Sequence, residues 1–347
     1  MSGRVKWAVI GSGGIARRRT IPEGIMSAEN AELRIVYDAN PQINREVAKE
    51  FNVGCAESID DVLGREEIDA VYIATPAYLH CQQVLLCANA GKHVLCEKPL
   101  GLNVEEVEEM ISECNKHGVL LGTALMMRFH SQHQSALEMI KQGKLGKLTY
   151  GRAQLSCWYP PIKNAWRQNP EQGGGGALMD LGSHCIDLLE MFFGDVKKVS
   201  CFINNTVHSY RSEDSAVAML FFDNGAMATV DAFFCIPDAS SKNILEIYGS
   251  KGSIIARGTI GQGSEGQMKA FLAEEDKNYD ANQKRVTDRE LNISPAPINT
   301  YMAEIREFSS AILENREPLN GAILGLRNQK ILSACYESAR NGKVVQI

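Results

Sequence analysis

The sequence lacks any uninterrupted apolar run of about 18 residues, the length a membrane-crossing helix requires. Its opening, MSGRVKWAVIGSGG, carries too short an apolar stretch for a secretory signal, so a cytoplasmic protein is expected. A basic block is also missing. Lys plus Arg total 36 against 42 Asp plus Glu, a formal charge of −6, and no stretch could track a phosphate backbone, which argues against nucleic acid as a partner. Ten cysteines are scattered from Cys55 to Cys335 without one CxxC pair, so neither a zinc knuckle nor a disulfide framework is indicated. They read as small buried hydrophobes in a reducing compartment. No internal repeat or low-complexity tract is present. What remains is 347 residues, 44% hydrophobic and 22% charged, enough for two packed domains rather than one core.

The first third alternates short apolar runs with helical patterns, the signature of βαβ units and a parallel sheet. Val5 to Ile10, Leu33 to Tyr37, Ala70 to Ala74, His93 to Cys96 and Leu120 to Leu125 read as strands. Between them, Asn40-Pro41 caps a helix running to about Phe51, and Ala77 to Ala90 forms another that stops at Gly91. In NVEEVEEMISECNKHG, Val104, Val107, Ile111 and Cys114 fall at helical spacing before Gly118. Beyond about residue 125 the texture changes. Segments such as LTYGRAQLSCW, SAVAMLFF and NILEIYG are rich in β-branched and aromatic residues, with Asn224-Gly225 and Gly249 to Gly252 as turns, and read as a largely antiparallel sheet. Helices are expected from about Asn299 to Asn315 and Leu324 to Asn341, whereas Gly258 to Asn292 shows no clear pattern. The expected division is residues 1–124 and 125–347.

Three groups of residues carry chemistry. The turn Gly11-Ser12-Gly13-Gly14-Ile15-Ala16 follows the first strand and opens a helix. Its glycines permit a tight turn and let backbone amides approach a pyrophosphate, with Ala16 in place of the last glycine of the fingerprint. The second strand leads to Asp38, where a carboxylate would accept hydrogen bonds from the adenosine ribose hydroxyls; a solvated loop aspartate is the plainer alternative. No arginine is adjacent to Asp38, which favours NAD over NADP, although Arg17, Arg18 and Arg19 weaken that preference slightly.

Ligands of open α/β sheets bind outside the carboxyl ends of the strands. Two strands end there in polar residues: Thr75-Pro76, with His80 one helical turn on, and Glu97-Lys98-Pro99. Lys98 at a strand terminus is placed to meet a substrate oxygen, and an X-Pro bond after it can be cis. The third group is GGGGALMDLGSHCIDLLEMFFG. Leu178, Leu181, Cys185, Leu188 and Phe192 form a core-facing stripe, and Asp180, His184 and Asp187, at i, i+4 and i+7, share a neighbouring face. A histidine beside a carboxylate suits general acid–base work; a metal site is disfavoured because the spacing supplies few ligands. Gly173 to Gly176 allow backbone to pass close to a ligand, or form a flexible loop.

Together the GSGGIA turn, Thr75-Pro76 with His80, Glu97-Lys98-Pro99 and Asp180-Leu-Gly-Ser-His184 resemble the Gfo/Idh/MocA family of nicotinamide-dependent sugar oxidoreductases, over nearly the whole chain. Trp158-Tyr159-Pro160-Pro161, Trp166-Arg167 and the glycine run resemble the branch that includes anhydrofructose reductases, xylose dehydrogenases and dimeric dihydrodiol dehydrogenases. The resemblance implies an α/β protein: an N-terminal Rossmann domain with a doubly wound parallel sheet, then a C-terminal α+β domain with a large, mainly antiparallel open sheet. That second sheet would bind substrate and build homo-oligomers. By the same resemblance Lys98 and His184 form the catalytic pair, with Asp180 bonding the substrate or orienting the histidine. Gly11, Gly13, Gly14, Ile15, Asp38, Thr75, Pro76, His80 and Glu97 would line the cofactor, Trp166 and Arg167 would lie near its nicotinamide end, and Tyr159 would face the substrate. Departures from the family pattern fall at Ala77-Tyr78 and His130. The implied reaction is oxidation of a secondary hydroxyl of a sugar, glycoside or cyclic polyol, with C3 of a glucoside as a narrower version. A glycosidase that oxidises its substrate transiently and a non-catalytic NAD-binding sensor are the rivals.

Overall fold

The computed structural model describes residues 3–273, 281–282 and 289–347, folded as two compact units. The segment Gly258–Asn292, which shows no clear pattern in the sequence, includes residues 274–280 and 283–288, which lie outside the described residues.

The first unit gathers Met1–Met126, Asn169–Gly175 and Asn299–Lys330. Its strands are β1 (Val5–Ile10), β2 (Ala31–Tyr37), β3 (Gly54–Cys55), β4 (Ala70–Ile73), β5 (His93–Glu97) and β6 (Leu121–Ala124). They pair in parallel in the order β3-β2-β1-β4-β5-β6, the doubly wound arrangement expected. Both faces of this sheet are buried, so its strands read as continuous apolar runs rather than alternating ones. Ala8, Ile10, Val71, Ile73, Val94 and Cys96 enter one core, while Trp7, Val9, Tyr72 and Leu95 enter the other. Ile305 and Phe308, from the helix Thr300–Glu314, complete the second core, and the Trp7 indole N–H donates to Ser309 Oγ at 3.1 Å. Close packing there explains Gly122: a Cβ on it would come within 2.6 Å of the Phe308 ring.

The second unit comprises Met127–Gln168, Gly176–Ile298 and Ile331–Ile347. Nine strands form its sheet: β7 (Leu148–Ser156), β8 (Val196–Asn204), β9 (Ser215–Phe222), β10 (Met227–Phe233), β11 (Ile244–Gly249), β12 (Gly252–Arg257), β13 (Gln267–Leu272), β14 (Arg289–Asn292) and β15 (Val345–Gln346). The order is β14-β13-β12-β11-β7-β10-β9-β8-β15, antiparallel throughout except for the parallel pair β7 and β10. The expected turns at Asn224-Gly225 and Gly249–Gly252 connect β9 to β10 and β11 to β12. The helix Ser183–Phe193 lies on this sheet, and Gly151 in β7 makes room for it, since a Cβ there would meet the Phe193 ring at 2.7 Å. On the strands β8, β9 and β10 the residues Phe202, Val217, Met219 and Met227 are exposed, and register pairs Phe202 with Val217 across one face.

Some elements differ from the sequence reading. The helix Ser131–Lys141 is capped by the His130 side chain, which accepts from the Gln132 amide, and the gap between strands in this region hid it. β3 and the helix Ile59–Leu63 are too short to show a period. Six of the ten cysteines are buried as expected, but Cys55 is exposed at the sheet edge. Among the described residues no helix is long and apolar enough to cross a membrane.

Candidate active site

The strand order of the first unit reverses between β1 and β4, so the loops that follow these two strands meet at the switch point. Their contact is close. Gly11 adopts φ +82°, and a Cβ on it would come within 2.7 Å of the Thr75 amide nitrogen, so only glycine fits. Gly14 instead faces open space, with no atom within 4 Å of where a Cβ would stand. Gly11 and Ser12 donate their amides to the Tyr37 carbonyl at 2.9 and 3.2 Å. Gly13 donates to Asp38 Oδ2 at 2.9 Å, and the other oxygen of Asp38 accepts from the Asn40 amide at 2.9 Å. Asp38 therefore belongs to the glycine turn as a structural partner. Ile15 precedes a wide helical segment, Ala16–Ile25, in which two half-buried arginines are paired: Arg17 with Glu50 and Glu46 at 2.8 and 3.3 Å, and Arg19 with Glu23.

At the ends of β4 and β5 the polar residues are tied together. His80 is buried, and its ring nitrogens lie 2.9 Å from the carbonyl oxygens of Thr75 and Pro99, joining the two loops. Thr75 Oγ1 donates to Gln83 at 2.7 Å. The Lys98–Pro99 bond is cis, and Lys98 is half-buried. Glu97 accepts the Tyr72 hydroxyl at 2.6 Å and the Lys98 amide at 3.2 Å, while Thr20 donates to the Tyr72 oxygen at 3.1 Å. Burial, then the neighbouring Glu97 and Glu304 carboxylates, push the Tyr72 phenol well above its ordinary pKa, so it remains a donor to Glu97. Tyr72 was missed from sequence because it sits inside the apolar strand AVYI and nothing local marks it.

In the second unit, four expected residues come together. Arg167 stacks over Trp166, with its guanidinium carbon 4.1 Å from the ring centroid, and pairs with Asp180 through Nε at 3.1 Å. Arg167 also hydrogen-bonds the Tyr159 side chain, whose phenol is raised by burial and by Asp180 while Arg167 opposes that rise. Asp180 lies in a wide turn, Leu178–Gly182, and the α-helix proper starts only at Ser183, next to His184. Helical backbone is continuous from Leu178 to Phe193 as expected, but its first turn is wide, so the ideal i, i+4 register of Asp180 with His184 is altered. Asp187 is buried and accepts Arg128 Nε on both oxygens at 2.7 and 2.9 Å, a buried ion pair that the sequence does not announce. The core stripe Leu178, Leu181, Cys185, Leu188 and Phe192 is buried as expected. Of the glycine run, Gly176 allows a close approach, but to the protein's own Glu213 backbone rather than to a ligand.

A dinucleotide-binding turn on a doubly wound sheet, joined to a unit built on an open antiparallel sheet, defines an NAD(P)-binding α/β oxidoreductase. The chain belongs to the Gfo/Idh/MocA oxidoreductase family: residues 5–125 match its NAD-binding Rossmann fold and residues 137–347 its C-terminal alpha/beta domain. It is 27% identical to 1,5-anhydro-D-fructose reductase of Ensifer adhaerens, over 99% of this chain and 98% of that protein. It is 32% identical to trans-1,2-dihydrobenzene-1,2-diol dehydrogenase of Mus musculus, over 72% of this chain and 73% of that one. The aldose-aldose oxidoreductase of Caulobacter crescentus, solved with glycerol, superposes with a TM-score of 0.88 at 25% identity, over 99% of this chain and all (100%) of that one.

Proposed function

We propose that this enzyme transfers hydride between NAD and a secondary hydroxyl or ketone of a sugar, glycoside or cyclic polyol. The observation that carries the reading is the carboxyl end of the parallel sheet: the glycine turn, Thr75 and Lys98 stand on neighbouring strand ends, with His80 tying the last two loops. The named activities of the relatives, on a sugar ketone, a cyclic diol and aldoses, support the substrate class.

The residues present fit a dinucleotide. The room at Gly14 and the close approach at Gly11 suit a pyrophosphate at the turn, and Asp38 keeps unused lone pairs for ribose hydroxyls. The same carboxylate would repel a 2′-phosphate, and Arg17 and Arg19 are already paired, which supports NAD over NADP. When bound, NAD supplies the hydride acceptor. The chain's own residues do the rest. His184 exchanges the hydroxyl proton, and the Lys98 ammonium stabilises the oxygen as negative charge develops on it. Asp180, held by Arg167, bonds the substrate or orients His184. Tyr72 holds Glu97, which fixes the backbone at Lys98.

The reaction is tested by incubating enzyme and NAD with a panel of free sugars, glucosides and cyclic diols. NADH in proportion to oxidised substrate is expected, with a 3-keto product where a glucoside reacts at C3. Free sugar released from a glycoside without NADH would replace this reading with the transient-oxidation glycosidase, and NAD binding without turnover of any panel member would leave a sensor. The reading includes self-association through the exposed face bearing Phe202, Val217 and Met219. Sedimentation velocity should give an oligomer, and Phe202→Glu should shift it toward monomer; a monomeric wild-type protein removes that part.

A further inference from the structure

The loop between β8 and β9 carries Glu213, a carboxylate that is 6% exposed and lies 37 residues along the chain from the backbone it touches. Both of its oxygens accept the Gly176 amide at 2.9 Å, and Oε1 also accepts the Leu178 amide at 3.0 Å. Between these two, the Ala177 amide donates to the Glu213 backbone carbonyl at 3.0 Å. Three consecutive amides are therefore held by one residue. The approach demands glycine at 176, where a Cβ would overlap the Glu213 carbonyl oxygen. Tyr336, in the helix Ala322–Asn341, donates its hydroxyl to Glu213 Oε1 at 2.8 Å. The loop itself is braced by the adjacent Asp214, which accepts the amides of Thr206, Val207 and His208 at 2.8, 2.8 and 2.7 Å.

The held amides open the wide turn Leu178–Gly182. Within it the Asp180 amide donates to the Gly176 carbonyl at 2.9 Å, and Ser183 Oγ donates to the Asp180 carbonyl at 3.0 Å. Backbone position thus passes from Glu213 through Gly176 to Asp180 and on to Ser183, the residue before His184. The orphan amides at a helix start are ordinarily capped by a neighbouring Ser, Thr, Asp or Asn; here Ala177 stands at that position and has no side-chain acceptor, so the cap is supplied from a distant loop. Burial raises the Glu213 carboxyl, against the lowering effect of Tyr336 and of the amides that favour its charged form.

We infer that Glu213 is a positioning residue for the reaction, a remote cap that fixes the turn carrying Asp180 and leading into His184, with Tyr336 as its support. The inference rests on the site reading proposed above. A Gln at 213 keeps the shape but turns one acceptor into a donor facing the Gly176 amide. In Glu213→Gln, amide hydrogen exchange across 176–180 should accelerate more than tenfold while the strands keep their protection. Turnover, read with the panel substrate giving the fastest NADH signal, should fall about tenfold or more, because small displacements of reacting groups are costly, with KM and NAD affinity within about twofold. Tyr336→Phe, which leaves the amide bonds intact, should cost about threefold. In an Asp180→Asn background Glu213→Gln should add less than about twofold, since both changes act through one element.

Unchanged exchange at 176–180, unimpaired turnover in folded Glu213→Gln beside an impaired Asp180→Asn, or fully additive losses would overturn the cap alone. Wild-type turnover in Asp180→Asn would overturn the site reading and the cap with it. Should Glu213→Gln fail to fold, Tyr336→Phe decides by additivity: its roughly threefold cost should largely vanish in the Asp180→Asn background, and a full additive loss or no loss in the wild-type background would overturn the cap.

Discussion

His184→Ala and Lys98→Ala should each lower turnover by about 10²–10⁴-fold, the usual contribution of general acid–base help, while NAD affinity stays within a few fold of wild type. On the proposed reading the two losses have different origins. On that reading, no side chain takes the hydroxyl proton in His184→Ala as hydride leaves carbon. Without the Lys98 ammonium the developing negative charge on oxygen is left uncompensated, a defect that Lys98→Arg should only partly restore, because a guanidinium is larger and presents a fixed fork. Stopped-flow NADH formation with the best panel substrate, together with NAD titration by fluorescence, separates chemistry from binding. Turnover within about threefold of wild type in either alanine variant would sink the catalytic assignment.

Asp38→Ala should act on the other half of the problem. Each charge-assisted hydrogen bond is worth about 1.5–3 kcal/mol, so NAD should bind about 10- to 150-fold more weakly. NADP binding should change little or improve, because the carboxylate that repels a 2′-phosphate is gone. Part of the loss comes through the turn, since the Gly13 and Asn40 amides both lose their acceptor. Asp38→Asn retains one acceptor oxygen and should therefore fall between wild type and alanine. Calorimetric titration with both cofactors reads the ratio directly, and an unchanged NAD affinity in folded Asp38→Ala would make Asp38 a turn residue only.

The parts of the molecule legible in the sequence are those whose cause is local. Gly11 and Gly13 follow an apolar strand, Asn40-Pro41 caps the next helix, and short apolar runs and then β-branched segments announce the two sheets; here neighbouring residues alone dictate the backbone. Trp166, Arg167, Tyr159 and Asp180 were named by resemblance, and the structure brings those four together. Errors arose where a distant residue decides. The wide turn at Leu178–Gly182 shifts Asp180 from the register an ideal helix would give it with His184, and Arg128, 59 residues before Asp187, pairs with that carboxylate. Glu213 is one of two adjacent acids in a polar loop, and nothing within ten residues hints that it caps a helix 37 residues away. Tyr72 is similar: in the sequence it is one more large residue of a buried strand, and only folding brings its hydroxyl to Glu97, 25 residues on.

The packing of Phe308 and Ile305 beneath β1 bears on how the chain is made. A nascent chain leaves the ribosome from its amino end, and the last strand of the parallel sheet, β6, ends at Ala124. At 5–20 residues per second the wait for Phe308 is about 10–40 s. Throughout that interval Trp7, Val9 and Leu95 lack the helix that covers them, and the Trp7 indole N–H lacks Ser309. The cofactor-binding half of this enzyme is thus begun first and finished late, one side of its sheet lacking part of its cover until the final fifth of the polypeptide is translated.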